Sequence, residues 1–247
     1  MAARVHIGAK DLRGDLAAYA KRFDLLEVRG MDAASQHLAP STATLRRWRR
    51  AVPPKFEFSV VAGPNLAKLR PNDTFEAELK TMLATATTLE ARVLVIATPV
   101  DVTPSKLWRD RLARVVERLP RDANAIVWEP SGLWEVEDAV RFAKTLGVVV
   151  GVDPAREEVP AGPVAYGRLR AVGATRAFST AALQRIAAKM GERNDAYVLI
   201  ETTGALKEAK TLRGLMRNLK TSARAGFGRL IRPRGAPLRV ADDEQEE

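Results

Sequence analysis

The chain has no cysteine. That excludes disulfides, thiolate nucleophiles and cysteine-held zinc or iron–sulfur centres, and it agrees with a reducing, cytoplasmic compartment. Histidine is almost as scarce: only His6 and His37 are present, far apart in sequence, which argues against a zinc site. His6 falls in a strand-like run and reads as a structural imidazole, whereas His37 falls in a loop. No apolar run approaches the roughly 20 residues of a membrane span, and the N-terminal stretch holds no signal-peptide core. Glycine-rich nucleotide turns are also missing. Ile7-Gly8-Ala9-Lys10-Asp11 lacks the G-x-G-x-x-G spacing, and there is neither a P-loop nor a G-x-S-x-G turn. The expectation is a soluble cytoplasmic protein for which the sequence names no metal, no cofactor and no oligomeric state.

What is present is a repeated alternation. Short runs rich in β-formers span Arg4 to Gly8, Asp24 to Arg29, Lys55 to Val61, Arg92 to Ala97, Ala123 to Trp128, Gly147 to Val152, Pro163 to Leu169 and Ala196 to Glu201. Between them apolar residues recur at three and four positions, as in Leu107, Leu112, Val115, Val116 and Leu119, the mark of a helix face. Asn72-Asp73-Thr74 caps a helix running to about Glu90, Ser179 caps the one through Leu183, and Thr103-Pro104 puts proline in a first helical turn. The connection from Asp153 to Gly162, with two prolines and three adjacent charges, predicts a loop instead. Alternation throughout implies parallel strands with right-handed crossovers. Eight such units in about 220 residues predict an α/β fold of the TIM-barrel, (β/α)8 type in preference to an open doubly wound sheet.

Residues 1–220 therefore read as one barrel domain. From Thr221 the periodicity stops, and residues 221–247 read as a disordered basic and acidic tail in which five arginines cancel five acids. The net charge of +10 thus lies wholly in the barrel. Its densest cluster, Arg46-Arg47-Trp48-Arg49-Arg50, could grip a phosphate backbone. Adjacent arginines on a helix point in several directions, so a solvated helix face with Trp48 turned toward the barrel is favoured over a nucleic-acid partner.

Several segments resemble the domain of unknown function 72 family, also called YecE-like. They are Ile7-Gly8, Leu26-Glu27-Val28, Pro53-Pro54-Lys55-Phe56-Glu57-Phe58-Ser59-Val60, Pro130-Ser131, Asp153 and Tyr166-Gly167-Arg168-Leu169, matching in order from about residue 4 to 219. The resemblance implies a TIM barrel and brings no established activity. Most strand-end polar residues depart from the family pattern: Ile126-Val127-Trp128-Glu129 replaces a glutamate-phenylalanine-arginine-histidine run, and Glu201-Thr202 replaces paired asparagines. Glu27, Asp153 and Arg168 are retained.

The residues alone select nearly the same positions. On the second strand Glu27 and Arg29 share a face with Leu25, on the seventh Arg168 and Arg170 share one with Tyr166, and on the eighth Glu201 shares one with Tyr197. Charges within strands are costly to bury unless they face each other or a polar cavity. Lys10, Glu27, Arg29, Glu129, Asp153, Arg168, Arg170 and Glu201 are thus expected to ring the barrel mouth. Glu27, Asp153, Arg168 and Glu201 are the catalytic candidates, and Lys10, Arg29, Glu129 and Arg170 the ligand-binding ones. The first functional reading is a pocket that binds or transforms a small polar or anionic metabolite, with Glu27 or Glu201 as general base. The second is a degenerate barrel in which the same charges form ion pairs and the basic exterior binds a partner such as nucleic acid. A magnesium site from Glu27, Asp153 and Glu201 is opposed by the surrounding arginines, and a glycosidase pair of Glu129 and Glu201 is disfavoured. An open mouth favours the first reading. A mouth covered by Trp128, Trp134 and long arginines favours the second.

Overall fold

The computed structural model describes residues 4–10, 12, 14–29, 40–170, 177–191 and 193–230, with 220–230 as backbone only. Strands and helices alternate as β1 (Arg4–Ala9), α1 (Leu16–Ala20), β2 (Leu25–Arg29), α2 (Thr42–Ala51), β3 (Glu57–Val61), the single turn α3 (Pro64–Ala67), α4 (Asp73–Leu89), β4 (Val93–Ala97), α5 (Lys106–Glu117), β5 (Ala125–Glu129), α6 (Val136–Leu146), β6 (Val149–Val150), β7 (Val164–Leu169), α7 (Thr180–Gly191), β8 (Asp195–Ile200) and α8 (Ala205–Leu230). Asn72 caps α4 by accepting from the Phe75 amide, and Ser179 accepts from Ala182 ahead of α7, as their sequence positions predict. Helix α5 begins later than expected. Its N-cap is Ser105, in extended backbone, which leaves Pro104 outside the first turn. The segment from Asp153 to Gly162 carries no helix. The boundary expected at Thr221 falls inside α8, and residues 231–247 lie outside the described part. Among the described residues no helix is long and apolar enough to cross a membrane.

All strand pairings are parallel and form two arcs, β2-β3-β4-β5-β6 and β1-β8-β7. Two seams join them into a ring. At the first, Asp24 ties β2 to β1: its N–H donates to Ile7 O at 3.1 Å and its Oδ1 accepts from Ile7 N–H at 2.6 Å. Tyr19 adds a hydroxyl that accepts from Ala9 N–H at 2.8 Å and donates to Leu25 O at 2.9 Å. The strands approach so closely there that a Cβ on Gly8 would lie 2.5 Å from Leu25 O. At the second seam Val152 bridges to Gly167, with Val152 N–H on Tyr166 O and Arg168 N–H on Val152 O. The ring is the TIM-barrel architecture that the strand count predicted.

Side-chain alternation along each strand sorts the core into two layers. Outward-facing Ile7, Leu26, Phe58, Ile96, Trp128 and Val198 meet the helices in one apolar cluster. Inward-facing Leu25, Val95, Val127, Tyr166, Tyr197 and Leu199 form a smaller one inside the ring. The inward layer turns polar at both ends. At the N-terminal end Arg4 pairs with Asp195 at 2.6 Å, and His6, buried, stacks on Tyr197 with ring centroids 4.9 Å apart. The C-terminal end holds the charges named from sequence.

Candidate active site at the barrel mouth

Arg168 projects inward from β7, 3 % exposed, and three carboxylates close around it. Its Nε donates to Glu129 Oε2 at 3.0 Å and its Nη1 to Glu27 Oε1 at 3.1 Å and Glu201 Oε1 at 2.9 Å. Its Nη2 donates to Glu27 Oε2 at 2.6 Å and Glu129 Oε1 at 2.8 Å. A guanidinium has five N–H donors, so none is left over. Glu27 is equally engaged, since Tyr166 donates its hydroxyl to Oε2 at 2.7 Å and Arg29 reaches Oε1 at 3.2 Å. Strand order explains the convergence. Glu129 ends β5, Glu201 follows β8, and Glu27 comes across the ring from β2, so ring closure aims all three at one point. Gly151 makes room for this, because a Cβ there would lie 2.6 Å from Glu129 Cγ.

Burial and pairing pull against each other here. Burial pushes the Glu27 carboxyl up, but the charge and hydrogen bonds of Arg168, with Arg29 and Tyr166, outweigh it and hold Glu27 below the usual carboxylate range. Burial and the Glu27 charge push the Tyr166 phenol well above its ordinary value. Burial alone would lower Arg168, yet Glu27 and Glu129 raise it above the ordinary guanidinium value. A carboxylate held this firmly ionised and fully hydrogen-bonded is a poor general base. The cation at the point of convergence is a guanidinium, and among the described residues no cluster of histidine, cysteine, aspartate or glutamate side chains could hold a metal ion.

Around this centre the rim is looser. Arg170, its side chain 54 % exposed, reaches Glu129 only at 3.5 Å and Glu201 at 3.9 Å. Between β4 and β7 a cleft of ≈ 200 Å³ opens, lined by Thr98, Glu129, Asp153, Arg156, Arg168 and Arg170 among others. Asp153 is buried in its wall, with Oδ1 accepting from Ala155 N–H at 3.0 Å. Its Oδ2 has no hydrogen-bond partner among the described residues, and Arg156 Nε stands 3.7 Å away. Of the eight residues expected at the mouth, six form one network, Asp153 lines the adjoining cleft, and Lys10 stays exposed on a groove between α1 and α8 that Glu201 also lines.

Sequence reasoning did not single out Arg156, Gly151 or Thr98. The strand period placed Tyr166 on the Arg168 face, which was the available signal for its bond to Glu27. Neither tryptophan covers the mouth. Trp128 and Trp134 pack edge to face in the layer outside the ring, their indole N–H groups on Thr98 Oγ1 and Val102 O. In the basic cluster of α2, Arg49 folds inward to donate to Pro53 O and Phe56 O and lies over the Phe58 ring, and Trp48 packs against the outer layer. Arg46, Arg47 and Arg50 are exposed.

With this geometry in hand, comparison with known proteins gives a consistent result. The model of the family described as protein of unknown function DUF72 matches residues 7–234. A DUF72 family protein of Enterococcus faecalis superposes with a TM-score of 0.66 at 14 % identity, covering 86 % of this chain and 95 % of that one. One from Thermotoga maritima gives 0.64 at 15 %, covering 88 % and 99 %. A xylose isomerase domain containing protein of Salmonella typhimurium gives 0.55 at 17 %, covering 84 % and 92 %. At these identities the structural likeness speaks for the fold alone. No curated protein matches the sequence.

Proposed function

The chain belongs to the DUF72 family of proteins of unknown function, and we propose that it binds a small polar or anionic metabolite in the cleft between β4 and β7 at the C-terminal mouth of its barrel. One observation carries this reading. A buried carboxylate oxygen, Asp153 Oδ2, has no hydrogen-bond partner among the described residues, in a cleft that also presents the half-exposed guanidinium of Arg170. Buried polar atoms are ordinarily satisfied, and an orphan beside free donors is a feature of ligand sites more than of frameworks. Barrels of this class carry their function at this face.

Roles divide accordingly. Arg168, Glu27 and Glu129 are the frame, paired among themselves at ≤ 3.2 Å. Arg170 is the anion contact, and Asp153 the carboxylate with a free lone pair, while Glu201 pairs with Arg168 at 2.9 Å outside the cleft lining. Arg29 and Lys10 sit further out. A cytoplasmic location fits the absence of cysteine. A ligand-observed NMR screen of small carboxylates, phosphates and polyols tests the reading. The expected result is a ligand whose binding is lost in Arg170→Met at an unchanged melting temperature. Absence of any small ligand, together with steeply salt-dependent retention of duplex DNA that is lost when Arg46, Arg47 and Arg50 are neutralised, would move function to the basic exterior.

A further inference from the structure

The cleft is chemically one-sided, and its asymmetry specifies more than a charge. On one wall Asp153, more than nine-tenths buried, spends Oδ1 on the Ala155 amide and leaves Oδ2, itself buried, without a hydrogen-bond partner among the described residues. Arg156 approaches Oδ2 only to 3.7 Å, beyond hydrogen-bond reach, so the oxygen calls for a donor that none of the described residues supplies. On the other wall Arg170 has, among the described residues, one long hydrogen bond, to Glu129 at 3.5 Å, which leaves most of its planar fork for a carboxylate. Arg168, between them, has no donor to offer. The two hydroxyls at the back are engaged as well: Thr98 Oγ1 accepts from Trp128, and Ser131 Oγ donates to Thr98 O. The cleft, ≈ 200 Å³, falls below the roughly 300–1,000 Å³ of sites for drug-sized ligands, which favours molecules of a few heavy atoms.

Resting on the binding proposed above, we infer that the ligand is a small carboxylate with a hydrogen-bond donor, hydroxyl or ammonium, on the adjacent carbon. The carboxylate lies on the Arg170 fork and the donor on Asp153 Oδ2. Neither contact alone selects this class. A bare anion satisfies Arg170 and leaves Asp153 Oδ2 without a donor, whereas a neutral polyol satisfies Asp153 and leaves Arg170 unused.

NMR titrations of the full chain with glycolate, glycine, acetate and inorganic phosphate test the inference. Glycolate or glycine is expected to bind about 10–100-fold more tightly than acetate, the span of one hydrogen bond to a charged group. In Asp153→Asn the amide nitrogen replaces Oδ2 and cannot accept, so glycine falls to the level of acetate. Arg170→Met, which leaves Asp153 intact, abolishes binding of all the carboxylates. Equal affinities for glycolate, glycine and acetate, or phosphate binding tightest, overturn the inference and leave anion binding at Arg170 standing. No binding by any of the four probes overturns the inference, and no binding of polyols in the wider screen overturns the proposed site as well.

Discussion

Arg168 is the residue on which the mouth depends. Replacing it with methionine leaves the buried Glu27 and Glu129 with only the half-exposed Arg29 and Arg170 as counter-charges, and breaking a buried pair in this way costs about 3–5 kcal/mol. Urea unfolding should show that loss for Arg168→Met, and much of it should return when Glu27→Gln and Glu129→Gln are added. A loss below about 1 kcal/mol would show that the network is loose. At the opposite end of the barrel His6 is held below its ordinary value of 6.5, chiefly by burial and against the pull of Asp24 and Asp195. A group whose folded pKa is depressed gives stability that is full above the unfolded value and lost as pH falls through the folded one. Nearby Glu57, raised by burial above its ordinary 4.5, acts in the opposite sense, its contribution being full at acid pH and lost as pH rises. His6→Gln should therefore lose less stability than the parent between pH 7 and 5 in urea titrations. Single residues were readable in sequence where a charge interrupts an apolar run, as at Glu27 and Arg168. The bare oxygen of Asp153 was not, because it depends on how the Ala155 amide and Arg156 fall around it.

Among the elements, the strands were predicted within about two residues, since period-two alternation and β-branched composition are local properties. The seam between β1 and β2 was not visible. There the ladder is replaced by the Asp24 carboxylate and the Tyr19 hydroxyl, groups that look like ordinary loop and helix residues until the chain returns upon itself. Tyr19→Phe keeps the packing and removes only the bridge, leaving Ala9 N–H and Leu25 O unpaired. The expected cost is about 1–3 kcal/mol by chemical denaturation. A neutral outcome would mean that backbone closure alone holds this edge. The convergence of Glu129 and Glu201 on Arg168 was hidden for the same reason: both sit at strand ends, and only closure of the ring brings β5, β8 and β2 to face each other.

At the scale of the whole molecule, one ring with a single outer core should unfold as a unit. Far-ultraviolet circular dichroism and tryptophan emission are expected to give coincident transitions, and a separated early phase would mark opening at one of the two seams. The tryptophans also have an optical consequence. All four pack in the layer outside the barrel wall, so Trp48, Trp108 and Trp134 report on the wall and are blind to what enters the mouth. Trp128 alone is joined to the cleft, through its indole N–H on Thr98. A change in emission on filling the cleft should therefore originate at Trp128, with Trp134 in contact with its ring, and a Trp128→Phe chain should lose most of it.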